Sequence, residues 1–375
     1  MLSKAANNTF KKDKLYLIIL IVVIWRIFLF LIAYFAKIFF PQFVTRFPYV
    51  ETLKDSGLPY WVWSFGNFDG VHYLRIAEDG YAYQFTQAFF PMYPILVKLV
   101  SIITFGNYLV AALLVSNICF LLGITYFYKL TKNIFDQSVA FWSCLFIIFS
   151  PTSFYFGSVY TESLFFLLII LAFYFYEKEN YILSSIFGAF SSLTRLIGIF
   201  LSVTLVKIAK RKNYLSLFIV PFGLIVYMLY LKITFNNPLY FLTAQSAFGQ
   251  ERTTASLIFL PQVFYRSIQQ ILTTRGFVRF NSAFDFLSTV ICLILLLYSL
   301  KYVKKSWIFF SLLAVLTPTL TGSLISMPRY ILTAFPIYIV LATINNTWIK
   351  VILLALSISL LAITTTLFTR GYWIA

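Results

Sequence analysis

A chain of 375 residues that is 61% hydrophobic and only 11% charged, with a mean hydropathy of +0.88, cannot present the polar exterior of a soluble globule. Its formal net charge of +17 does not mark a nucleic-acid binder, because the lysines fall in short gaps between apolar runs and build no continuous basic, aromatic-lined groove. Cys119, Cys144 and Cys292 sit inside apolar runs without the paired spacing of a disulfide framework or a metal site.

Apolar runs near the roughly 20 residues that a membrane-crossing helix requires predict an all-α polytopic membrane protein. The first predicted helix runs from about Leu15 to Phe40, its N-terminus held in the cytoplasm by Lys4, Lys11, Lys12 and Lys14. The run is longer than a signal-peptide core and no small-residue cleavage pattern follows it, so an uncleaved span is expected. Arg26 lies mid-span, where a guanidinium is costly in lipid, and is expected to point into the bundle.

Residues 41–107 read as a long outer loop with interfacial helices, ending in an ambiguous apolar piece, Phe89 to Phe105, that contains Lys98 and two prolines. If this piece crossed the membrane, Glu162 would fall opposite Asp69. Lying along the interface, it places every later lysine cluster inside, and this arrangement is expected. Tyr108 to Tyr128 then runs inward, Val139 to Phe154 outward to a break near Pro151, and Leu164 to Tyr176 inward to the turn EKEN. Tyr181 to Thr194 climbs out, and Leu196 to Val206 descends to Lys207, Lys210, Arg211 and Lys212. Tyr214 to Phe235 rises to a second outer segment, about 236–282, where amphipathic interfacial helices are expected. Asp285 to Tyr302 descends, Trp307 to Thr321 climbs, Tyr330 to Thr343 descends, and Ile349 to Phe368 ends outside at RGYWIA. The sum is about eleven crossings, several short enough to be broken or tilted, with the N-terminus inside and the C-terminus outside. No fixed-period repeat or flexible linker interrupts residues 1–375, which read as a single membrane domain.

The stretch from Trp61 to Pro94 gathers Asp69, His72, Arg75, Glu78 and Asp79 within eleven residues. On the expected topology these acids and Glu162 face outside. So do Arg46, Arg75, Arg195, Arg252, Arg266, Arg275, Arg279 and Arg329, against the positive-inside trend. The planar guanidinium fork suits a lipid phosphate, although contact with headgroups explains any single arginine equally well. Asp69 is the expected general base on a sugar hydroxyl. His72, three residues on, shares its helical face and either orients Asp69, binds acceptor or packs in an aromatic loop. Glu162 begins a predicted helix, so it either complements the helix dipole at about 0.3–1 kcal/mol or sits beside Asp69. Arg195, between apolar runs, is expected to have a carboxylate or phosphate partner. Two carboxylates and a histidine could hold a divalent metal, but no His-x-x-x-His or Asp-x-Asp pattern points to one.

The ordered segments FDGVHYLRIAEDGY, AFFPMYP, SPTSFYFGSVYTESLF, LTRLIGI, MPRYILTAFP and RGYWIA together resemble the PIG-V family. That family supplies the second mannosyltransferase of glycosylphosphatidylinositol assembly and has bacterial and archaeal relatives in the GT-C superfamily of glycosyltransferases. The resemblance covers most of the chain. It implies a GT-C-like helical bundle that takes a sugar, expected to be mannose, from a polyprenyl-phosphate carrier at the non-cytoplasmic face. It also implies a catalytic aspartate in the first outer loop, matched by Asp69, although Phe68 stands where the family usually has tryptophan. On this reading Asp69 deprotonates the acceptor hydroxyl in one inverting step. Arg195 and Arg329, with Tyr330 adjoining, take the departing phosphate, while His72, Glu78, Asp79 and Glu162 shape the acceptor side. The Lys, Phe and Ile bias resembles that of a prokaryotic chain, for which the expected acceptor is a lipid, glycan or protein other than GPI. The alternative is a lipid or polyprenyl-phosphate flippase, which should carry a charged path across the bilayer or repeated halves with interrupted helices.

Overall fold

The computed structural model of the chain describes residues 13–44, 50–206, 215–248 and 257–375, and the regular elements among them are all helices. Lys4, Lys11, Lys12, the Lys207, Lys210, Arg211 and Lys212 cluster, Arg46 and Arg252 lie outside the described residues.

Among the described residues, five helices are long and apolar enough to cross a membrane: Leu15–Phe39, Tyr108–Ile134, Phe218–Phe235, Gly276–Ser299 and Thr347–Thr369. The other six expected crossings correspond to shorter helices, Gln137–Ile148, Glu162–Glu177, Tyr181–Thr194, Phe200–Val206, Lys305–Thr319 and Pro336–Ala342. The chain is an all-α polytopic membrane protein. Several expected boundaries shift by a few residues, and two differ in kind. The run from Tyr330 to Thr343 is not one helix but the end of Met327–Ile331 followed by Pro336–Ala342, because proline lacks the N–H that a continuous helix needs and favours the first helical position instead. The helix expected to begin at Asp285 starts at Gly276, which leaves Asp285 buried inside it.

The membrane-facing pattern follows from helical spacing. In Leu15–Phe39 the residues Ile18, Val22, Trp25, Leu29 and Ala33 recur every three or four positions and are buried, while Leu20, Ile24, Ile27 and Leu31 are exposed. Arg26 faces protein, its guanidinium over the rings of Phe30 and Phe65 at 4.0 and 4.5 Å. Glu162–Glu177 is apolar on every side, and all its residues from Glu162 to Phe173 are buried, which makes it the central helix. It packs between Tyr108–Ile134 and Tyr181–Thr194. Tyr181–Thr194 in turn lies close against Leu215–Phe235, where Gly188 meets Val220 and the Ser192 hydroxyl donates to the Val220 carbonyl at 2.7 Å, a small-residue contact of the kind that lets membrane helices approach closely.

Which end of the bundle holds Glu162 is decided by two features. Met92–Ser101, within the ambiguous apolar piece, has ten residues, about 15 Å of helix against a hydrocarbon core of about 30 Å, so it cannot cross alone. Moreover, Tyr108–Ile134 and Glu162–Glu177 run in the same direction: Gly123 lies against Phe166 and Tyr126 meets Tyr174 at 5.1 Å. The end that carries Lys132, paired to Asp13 at 2.8 Å, and Lys304, paired to Glu177, is therefore opposite the end where Glu162 sits. The amphipathic helix expected in the second outer segment is Leu260–Thr273, with Val263 and Ser267 buried and Tyr265, Ile268 and Leu272 exposed.

Candidate active site

The turn before Asp69 docks on the segment before Glu162. The Val159 N–H donates to the Phe65 carbonyl at 3.0 Å, and Tyr160 Oη donates to the Asn67 carbonyl at 2.8 Å. A Cβ on Gly70 would stand 3.3 Å from Val159 Cβ, so glycine permits this approach. Phe68, the residue before the Asp69–Asp79 helix, has φ 61° and ψ −120°, a conformation that costs a non-glycine residue on the order of 1–3 kcal/mol and persists only where its surroundings enforce it. The result is that Asp69 and Glu162, each in the first turn of its helix, face one another across a single arginine.

That arginine is Arg329, in the short helix Met327–Ile331. Its Nη1 donates to Asp69 Oδ2 at 2.9 Å, and its Nε lies 3.2 Å from Glu162 Oε1 without hydrogen-bond alignment. Arg195, at the corner after Tyr181–Thr194, donates from Nη1 to the same Glu162 oxygen at 3.0 Å. The Arg329 side chain is 10% exposed and that of Glu162 1%. Burial works against the Arg329 charge, but Glu162 and Asp69 more than offset it and hold its pKa well above the ordinary value. Tyr155, Tyr160 and Tyr330 surround the guanidinium at 5.5 Å and Trp373 at 5.7 Å. Two carboxylates and two guanidiniums thus form a buried cluster of zero formal charge.

A cavity of about 560 Å³ opens over this cluster, a size suited to a small ligand. Asp69, Glu162, Arg195, Arg329 and Tyr330 all line it, joined by Tyr73, Phe89 and Phe90. Leu239, Leu242, Leu257, Pro318 and Leu320 add apolar surface to the lining, interleaved with Thr243, Gln245, Thr317 and Thr321. His72 does not line the cavity; its ring stacks on Phe89 at 5.0 Å, and Phe89 does. Glu78 and Asp79 are exposed at the far end of the Asp69–Asp79 helix, about 15 Å along it from Asp69. Asp79 accepts from Tyr83 Oη at 3.0 Å, and Arg75 lies over the Tyr83 ring at 4.6 Å. Of the described arginines expected outside, only Arg195 and Arg329 reach the cavity; Arg279, for example, donates to the Thr274 carbonyl at 2.8 Å. Among the described residues no group of three His, Cys, Asp or Glu side chains is arranged to hold a metal ion.

Burial lowers the pKa of His72, with Asp69 opposing and Arg75 assisting the shift, so the ring is neutral at pH 7. A histidine whose folded pKa lies below its unfolded value of about 6.5 favours the folded state at neutral pH, and that contribution is lost as pH falls below the unfolded value. Unfolding followed from pH 7.5 to 5 should therefore show a smaller acid-side loss of stability in His72→Gln than in the unsubstituted protein. Identical pH profiles would contradict a depressed histidine.

The sequence patterns of known proteins bear on this geometry. The family described as Mannosyltransferase (PIG-V) matches residues 14–325. A GPI mannosyltransferase 2 of Cryptococcus neoformans is 28% identical over 153 residues, which cover 38% of this chain and 36% of that protein. The protein of the same name from Drosophila pseudoobscura is 30% identical over 132 residues, 32% of this chain and 28% of its own length. That from Drosophila melanogaster is 29% identical over 120 residues, 29% and 25% of the two chains. The chain spans between a quarter and little more than a third of the length of these curated relatives.

Proposed function

This chain belongs to the PIG-V mannosyltransferase family, and from that premise we propose that it transfers mannose from a polyprenyl-phosphate carrier to a lipid, glycan or protein acceptor, with Asp69 as general base. The observation that carries the reading is the pair Arg329–Asp69 at 2.9 Å in a cavity that Leu239, Leu242, Leu257, Pro318 and Leu320 also line. Such a cavity suits a donor with a charged phosphate and a hydrocarbon chain.

In the proposed reaction the acceptor hydroxyl gives its proton to Asp69. Arg329 holds Oδ2 of that carboxylate, which leaves Oδ1 for the proton. The acceptor oxygen forms its bond to the anomeric carbon from the face opposite the phosphate. The bond from that carbon to the phosphate oxygen breaks with its electron pair, and configuration inverts. Once Asp69 takes the proton the cluster carries one net positive charge, and Arg329 and Arg195 donate to the departing phosphate, which Tyr330 borders. Glu162 holds both guanidiniums in place, and His72 supports the aromatic wall through Phe89. The charged cluster sits at one end of the bundle, which favours transfer over passage of a lipid across the bilayer. The site is assigned to the non-cytoplasmic face of a prokaryotic membrane, with the lysine-bearing end in the cytoplasm.

The test is donor choice. Purified protein in vesicles should move labelled mannose from polyprenyl-phosphate mannose to an extract of host lipids and glycans, and should fail with a nucleotide-linked mannose in the absence of polyprenyl phosphate. Transfer from the nucleotide sugar alone would overturn the donor assignment.

A further inference from the structure

Asp69 is placed by a strained residue, and something must keep that residue strained. The backbone at Phe68, φ 61° and ψ −120°, is one that an isolated phenylalanine leaves readily. Part of the restraint is polar: Asn67 Nδ2 donates to the Phe368 carbonyl at 2.9 Å, at the end of the Thr347–Thr369 helix, and the Asn67 carbonyl accepts from Tyr160 Oη at 2.8 Å. The rest is aromatic. The Phe68 ring meets Trp373 edge to face, with centroids 5.0 Å apart and planes at 83°, and packs on Phe368 at 5.7 Å.

Trp373 also reaches the other half of the ion pair. Its ring lies 5.7 Å from the Arg329 guanidinium carbon, so one indole touches both the residue that aims Asp69 and the arginine bonded to Asp69. The segment carrying it is pinned, because Tyr155 Oη donates to the Ile374 carbonyl at 2.9 Å. The indole N–H itself is buried without a hydrogen-bond partner among the described residues. The ring therefore acts through its bulk and face, and the N–H adds nothing that a phenyl ring would lack.

We propose that Trp373 is a positioning residue: it wedges Phe68 in its positive-φ conformation and backs Arg329, and so fixes Asp69 against its partner. This rests on the transferase reading above for its kinetic consequence, but not for its structural one. The step it serves is the proton transfer to Asp69, which depends on alignment, and a small misplacement of a reacting group can cost about a hundredfold in rate.

The experiment compares the unsubstituted protein with Trp373→Ala and Trp373→Phe by amide hydrogen exchange and by transfer kinetics. The Gly70 and Val71 amides, which donate to the Asn67 and Phe68 carbonyls at 3.4 and 3.2 Å, should exchange about tenfold faster in Trp373→Ala, with the central helix unchanged. In the same variant kcat should fall about 10- to 100-fold with KM kept within about twofold, and Trp373→Phe should restore both readouts. Unaltered exchange at Gly70 and Val71, or faster exchange throughout the central helix, would overturn the proposal. Failure of Trp373→Phe to restore kcat would also overturn it. If the unsubstituted protein transfers no sugar, the transferase reading fails while the exchange data still decide the role of Trp373.

Discussion

Arg329→Ala is expected to lower the rate of sugar transfer by about 100- to 1,000-fold, the loss typical of removing one well-placed donor from a developing anion. The same guanidinium contacts Asp69 at 2.9 Å and Glu162 at 3.2 Å, so its loss leaves two carboxylates facing one remaining arginine in a largely buried site. Breaking a buried ion pair from one side costs about 3–5 kcal/mol, and the variant should therefore melt earlier as well as turn over more slowly. Arg329→Lys should recover little of the rate, because a single ammonium cannot span two carboxylates as the planar fork does. Initial rates and thermal unfolding in one detergent separate the two effects. An unchanged rate in Arg329→Ala would remove this residue from the proposed reaction.

Asp69→Asn should be the cleaner loss. The amide is nearly isosteric, and its oxygen still accepts from Arg329 Nη1, so the turn at Phe68 and the contact across the site are retained. What disappears is the proton acceptor, and general-base catalysis contributes about 10²- to 10⁴-fold. A fall of that size with the unfolding temperature nearly unchanged assigns the effect to chemistry. Arg329→Ala should instead move both quantities, and the contrast between the two variants distinguishes a base from its electrostatic support.

The helices were largely legible in the sequence because lipid imposes one rule, a long apolar run for each crossing, and Leu15–Phe39 and Thr347–Thr369 sit within a residue or two of their expected bounds. The interruptions were harder. Pro336 marks the break in MPRYILTAFP, yet the apolar residues on either side read as one span until Met327–Ile331 and Pro336–Ala342 are seen as separate turns. For the site, the acids and arginines could be enumerated but not paired. Arg329 and Asp69 are 260 positions apart, and their meeting depends on the short Met92–Ser101 helix staying on one side of the bundle. Glu78 and Asp79 show the converse: close to Asp69 along the chain, they are carried out of the cavity by the axial rise of the helix that Asp69 begins. Trp373 was hidden by abundance. It lies in RGYWIA, one of the segments that carry the resemblance, but in a chain with 44 Phe and 26 Tyr nothing in the sequence gives it a role until its ring is found against Phe68 and Arg329. The apolar part of the cavity lining was equally silent, since Leu239, Leu242 and Leu257 look like any other residues of an interfacial segment.

The most direct measurement is mannose transfer from polyprenyl-phosphate mannose to a mixed extract of host lipids and glycans, with equal folded amounts of the unsubstituted protein and Asp69→Asn. With Asp69 as the base, the unsubstituted protein transfers label and the variant stays at background. Equal transfer by the two proteins would contradict that role and move the search for the base to another residue of the cavity.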